Sequence, residues 1–147
     1  MRSAKDPRHI ARILAAMDLY NYFFDRDNSV LEALDSDELE VGNYSSKIRE
    51  AIVEGVKANV EEIDIMINNH SDPVKTTDLD VVLLQIIRSA IYEGFIAKTI
   101  PPRVAVDEAI ELTRDFGMDM ATKKVSGILG KVFDAFAKEI PEAKPAE

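Results

Sequence analysis

The chain has no cysteine and no tryptophan among its 147 residues. Without cysteine there can be no disulfide, no thiolate metal site and no thiol nucleophile. Histidine is scarce too, with only His9 and His70. No apolar run approaches the ~18 residues that suggest a membrane span. The basic start, "MRSAKDPRHIARILAAMDLY", has no apolar core before a cleavage site, so it does not read as a signal peptide. These absences point to a cytoplasmic protein without a membrane association. Positive charge is also in short supply: 18 Lys and Arg stand against 27 Asp and Glu, a formal net charge of −9. That balance argues against a protein that coats itself in nucleic acid. Disorder is excluded by 46% hydrophobic residues, and the length suits one domain or two small halves sharing a core.

What is present is unevenly placed. Over the first twelve residues Arg2, Lys5, Arg8 and Arg12 face only Asp6. Between residues 25 and 40, Asp25, Asp27, Glu32, Asp35, Asp37, Glu38 and Glu40 face only Arg26. A basic arm on an acidic body can bind a polyanion locally. Nothing reads as a strand, and the apolar spacing is helical nearly throughout. Asp6 and Pro7 announce the first helix, with Ile10, Ile13, Leu14, Met17 and Phe24 as its inward stripe. A short helix is expected around Val30–Leu34. A long one follows the break "VGNYSS", carries Ile48, Ile52, Val56, Val60, Ile63 and Met66, and stops near "NNHSDP". Thr77 or Asp78 is expected to cap the next, whose "LDVVLLQIIRSAIYEGF" is apolar enough to be central. Pro102 opens another helix and Gly117 closes it. The last holds Val125, Ile128, Leu129, Val132, Phe133 and Phe136 and ends by Pro141. The expectation is six or seven helices, with residues 142–147 as a disordered tail.

Four candidate sites need weighing. Asp107, Glu108 and Glu111 could be a carboxylate centre, but a bridged metal in a helical bundle needs Glu-x-x-His, and neither histidine follows a glutamate by three. In the first turns of a helix opened by Pro102, these acids read better as partners of the helix dipole and its free N–H groups. No G-x-S-x-G and no phosphate-binding glycine loop occurs, so no catalytic residue, cofactor or metal is assigned. His9 reads as polar surface and His70 as a turn residue. Tyr92 reads as a core ring, and Tyr20, Tyr22, Phe23 and Phe24 as core and rim. There remain Lys5, Arg8 and Arg12 on one helical face, and Lys123 and Lys124 at the start of the last helix. They are either phosphate contacts or solvated charge, and spacing alone does not choose.

The segments "IIRSAIYEG" (86–94), "IPPRVAVDEAIELTRDFG" (100–117) and "KKVSGILGKV" (123–132) resemble the NusB family of bacterial transcription antitermination factors. Arg88, Ala90, Tyr92, Glu93, Pro101, Glu108, Ala109, Phe116, Gly117, Lys123, Val125, Gly127 and Leu129 fit its pattern in register, and Arg8, Ala11, Arg12, Leu19 and Tyr20 fit its arginine-rich first helix. The resemblance implies an all-α fold of two small helical subdomains, here about 6–68 and 77–140 within a domain spanning 1–141. It implies a non-enzymatic factor that binds single-stranded boxA RNA together with the ribosomal protein NusE. That complex acts on the transcription elongation complex to promote read-through, notably on ribosomal RNA operons. The family's RNA contacts, at the starts of the first and last helices, map onto Arg8, Arg12, Lys123 and Lys124, and Lys5 joins them as a candidate from its place in the same basic stripe; a homodimer is left open. The chain departs from the pattern at Ile10 (often basic), Lys124 (phenylalanine), Ser126 (asparagine) and Gly130 (aspartate). A diverged adaptor that keeps the scaffold and has lost specific RNA binding is therefore the alternative. A third reading, a module preceding an RNA methyltransferase domain, is disfavoured because the sequence ends at Glu147.

Overall fold

The computed structural model describes residues 6–24, 44–70 and 79–139, with side chains to 136. Five α-helices are present among them: α1 (Pro7–Phe23), α2 (Ser46–His70), α3 (Val81–Ile91), α4 (Pro102–Asp115) and α5 (Thr122–Glu139). A π-helical turn (Tyr92–Ile96) continues α3, and a short 3-10 turn (Asp119–Ala121) precedes α5. No strand occurs among the described residues, so the all-α expectation holds. The helix expected at 30–34, the caps at Thr77 and Asp78, Lys5 and the tail lie outside the described residues.

Most boundaries have a local cause. The Asp6 carboxylate accepts a hydrogen bond from the Arg8 N–H and caps α1 at Pro7. The same bond holds the Asp6 carboxyl below its ordinary pKa. Ser45 Oγ accepts from the Ile48 N–H at the start of α2. Asp80 caps α3, accepting from Val82 and Leu83 at 2.9 and 3.3 Å. Pro102 opens α4, and Gly117 follows it at φ +77°, the left-handed closing position that glycine tolerates best.

The core draws on all five helices. α3 is its axis: all residues from Leu83 to Ile91 are buried, and it packs against α1, α2, α4 and α5. Its polar members are satisfied. Arg88 donates to Asp64 of α2 at 2.9 and 2.8 Å and to Gln85 at 3.2 Å, and its guanidinium lies over the Phe23 ring. α2 bends at Asn59, whose backbone leaves the helical region while its side chain donates to the Gly55 carbonyl at 2.7 Å. Its buried residues are Ile52, Val56, Ile63 and Ile67, so the inward stripe ends on Ile67 with Met66 half-buried. Tyr92 and Phe116 are each half-buried and packed on the core.

α1 corrects its expected stripe. Ile10, Ile13 and Met17 are half-buried and Phe24 is exposed, whereas His9, Ala11, Arg12, Leu14, Ala15, Ala16 and Leu19 face inward. Alanines allow α1 to approach α2 and α3 closely, and two polar residues are buried with it.

Candidate nucleic-acid interface

The N-terminal turns of α1 carry three residues of interest in five positions. Arg8 points outward, its side chain 70% exposed and 3.6 Å from the Asp6 carboxylate that caps the helix. His9 and Arg12, three positions apart, turn the other way.

Arg12 is buried. Its Nε and Nη2 donate to the two carboxylate oxygens of Glu93 at 2.8 and 3.1 Å, a bidentate pair, and Nη1 lies 3.8 Å from Glu108. Burial alone would lower the guanidinium pKa, but the bonds to Glu93 and the charges of Glu93 and Glu108 outweigh it and raise it. Glu93 sits in the π-helical turn after α3, itself buried. Single π turns often mark positions where a helix has been adjusted to place one side chain; here the side chain so placed is the partner of Arg12.

His9 is 1% exposed. Its Nδ1 faces the Glu108 carboxylate at 3.1 Å and its Nε2 faces Asp115, both on α4. Hydrogen bonding to Glu108 most of all, opposed by burial and reinforced by Asp115, raises the imidazole pKa above its ordinary value. The readings of His9 as polar surface and of Glu108 as a helix-start residue are therefore both corrected. No acid lies in the first turn of α4. Glu108 lies further along, half-buried, and ties α4 to α1. Asp107 is exposed and Glu111 half-buried. Among the described residues no grouping of histidine and acidic side chains has the arrangement a metal ion would need.

This clasp fixes the topology of the basic residues. It holds the C-terminal turn of α4 against the first turn of α1. From Asp115 the chain runs through Gly117 and the 3-10 turn directly into α5, whose first turn presents Lys123 and Lys124, both exposed. Arg8, Lys123 and Lys124 thus belong to two helix starts linked through one buried contact. Arg12 is not part of that exposed set. Met120 stands 97% exposed in the 3-10 turn between α4 and α5.

Sequence reasoning missed His9, Glu93, Glu108 and Asp115 as a connected group. A signal existed: a cation pair three apart on one helix, and acids seven apart on another, are complementary if the two faces meet. Nothing in a linear reading says that they meet.

The comparisons agree with this architecture. The family model described as "NusB family" matches residues 9–134. The chain is similar to the transcription antitermination protein NusB of Coxiella burnetii (strain CbuK_Q154), at 32% identity over 139 residues, covering 90% of this chain and 94% of that one. Among solved structures it is similar to T. maritima NusB, with a TM-score of 0.63 and 30% identity over 91% of this chain and 93% of the other. It also shares its fold with NusB from Aquifex aeolicus, at a TM-score of 0.71 and 21% identity, covering 96% and 97%. With a family match from the first turn of α1 into α5, relatives aligned over nearly their whole length and a matching helical architecture, the chain belongs to the NusB family.

Proposed function

We propose that this protein is a cytoplasmic antitermination factor that binds boxA-type single-stranded RNA together with ribosomal protein NusE, and so helps the transcription elongation complex read through on ribosomal RNA operons. The observation that carries this reading is family membership over residues 9–134, joined to exposed cations at the starts of both helices that the resemblance assigns to RNA. Arg8, Lys123 and Lys124 are the phosphate contacts, with Lys5 preceding them in the basic arm. Arg12 acts from inside, holding α1 in place for Arg8. Phosphate contacts supply affinity, and unstacked bases supply sequence preference. No helix among the described residues is long and apolar enough to cross a membrane, which is compatible with that location.

One observation favours a second reading. Lys124 and Ser126 stand where the family motif has phenylalanine and asparagine, and both are exposed. An adaptor that has kept the scaffold and its partner but lost RNA specificity would look like this.

The experiment is a titration of a boxA-like strand and a scrambled control, with and without NusE, across salt concentrations. Three phosphate contacts give a log–log salt slope of about −2, from ~0.7 per phosphate on single strands. Arg8→Glu and Lys123→Glu each weaken binding and flatten the slope, and neither residue is in the core. Binding to neither strand at low salt, even with NusE, decides for the adaptor. Equal binding to both leaves a basic surface without specificity.

A further inference from the structure

We propose that His9 is a protonation-dependent clamp, which holds the first turn of α1 onto the end of α4 only while its ring carries both protons. Each ring nitrogen of this buried side chain faces a carboxylate, Glu108 at Nδ1 and Asp115 at Nε2. A carboxylate only accepts hydrogen bonds, and a neutral imidazole has one donor and one acceptor nitrogen. Only the imidazolium satisfies both contacts. Once a proton is lost, a ring lone pair faces a carboxylate oxygen in a site nearly closed to water, and the contact turns from attraction to repulsion.

The surrounding charges act in the same direction. Glu108 and Asp115 reach His9 from α4. On α1, Arg12 approaches Glu108 but is itself paired with Glu93 of the π turn. Arg8 is turned outward with Asp6. The buried group is therefore two cations, His9 and Arg12, against three carboxylates, Glu93, Glu108 and Asp115. The raised imidazole pKa follows from this arrangement.

The sign of the linkage is fixed. A group whose pKa is higher in the folded protein contributes its full stabilisation below the unfolded value, about 6.5. That contribution is lost as pH rises through the folded value. The clamp is closed below the unfolded value and releases as pH rises through the raised folded one. What it releases is the hold of α4 on the helix start bearing Arg8, which the Ser45 N–H donating to the Pro7 carbonyl and the Arg12–Glu93 pair continue to anchor elsewhere. The proposal does not depend on RNA binding there.

The test begins on the unaltered protein. The two histidine rings are followed by nitrogen-detected NMR as pH is raised from 5.5 upward, with His9 identified by its loss in His9→Gln. The expected result is a His9 titration midpoint above about 6.5, and protection factors of the first-turn amides of α1 that fall through the same midpoint. Glu108→Gln and Asp115→Asn each move that midpoint down. A His9 midpoint at or below about 6.5, or first-turn protection that does not change across its titration, overturns the proposal. Thermal unfolding supplies a second readout: as pH rises above about 6.5 through the His9 midpoint, the melting temperature of the unaltered protein declines more steeply than that of His9→Gln. Parallel curves count against the clamp.

Discussion

Arg12 shows how a single side chain can look like surface in the sequence and work in the interior. By spacing it shares a helical face with Lys5 and Arg8, and in the first helix of an RNA-binding family it invites a phosphate. Its guanidinium is already committed to Glu93 and Glu108. Truncating one partner of a buried ion pair strands the other charge, so Arg12→Ala is expected to destabilise the fold by about 3–5 kcal/mol. Chemical denaturation measures this directly. The same measurement on Arg8→Ala should move by no more than about 0.5 kcal/mol, as for a surface position. Arg12→Lys should recover only part of the loss, because an ammonium cannot make the bidentate contact. His9 was illegible for the same reason as Arg12. Hydrophobicity ranks both as outward residues, and only carboxylates arriving 81 positions later for Arg12 and 99 and 106 later for His9 make either one an inward residue. The exposed members of the basic set, Arg8, Lys123 and Lys124, were readable because nothing distant alters them.

At the scale of the element, closing and opening signals were the most legible part. Asp6 with Pro7, Pro102 and Gly117 act through their own backbone and need no tertiary context. Asp80 caps α3 in place of the expected Thr77 or Asp78. Less legible was the π turn after α3, since its reason is Glu93 and its neighbour Gly94. A Cβ on Gly94 would lie 2.9 Å from that of Ala105, so the turn and α4 touch through bare backbone. Gly55 is the sharper case. In the middle of a helix, replacing glycine by alanine ordinarily stabilises by about 1 kcal/mol. Here the added carbon would meet the Tyr92 ring at 2.1–2.5 Å. The sign is expected to reverse: Gly55→Ala destabilises by about 1–3 kcal/mol, the cost of overpacking. Combining it with Tyr92→Leu, which vacates the ring's position, should relieve part of the loss. A thermal melt of the single and double variants decides the matter; additive losses would mean that the two residues do not collide.

For the molecule as a whole, α3 is the piece that every other helix leans on. Its nearly continuous apolar run made that visible in the sequence. Its partners were not visible, because Arg88–Asp64 and Arg12–Glu93 join residues 24 and 81 positions apart. Since the apolar core draws on all five helices, no half holds a complete interior of its own. Unfolding should therefore be one cooperative transition, with helical circular dichroism and the near-ultraviolet tyrosine signal falling together. Separate midpoints would indicate two units able to melt independently.

Met120 has a consequence of a different kind. A thioether standing almost wholly in solvent, in the turn between α4 and the basic start of α5, is the place a mild oxidant reaches before Met17, Met66 or Met118, all half-buried. Sulfoxide formation there removes no packing. The sixteen-dalton gain in mass then becomes a footprint: whatever settles over that turn slows it, and no label need be introduced to see this happen.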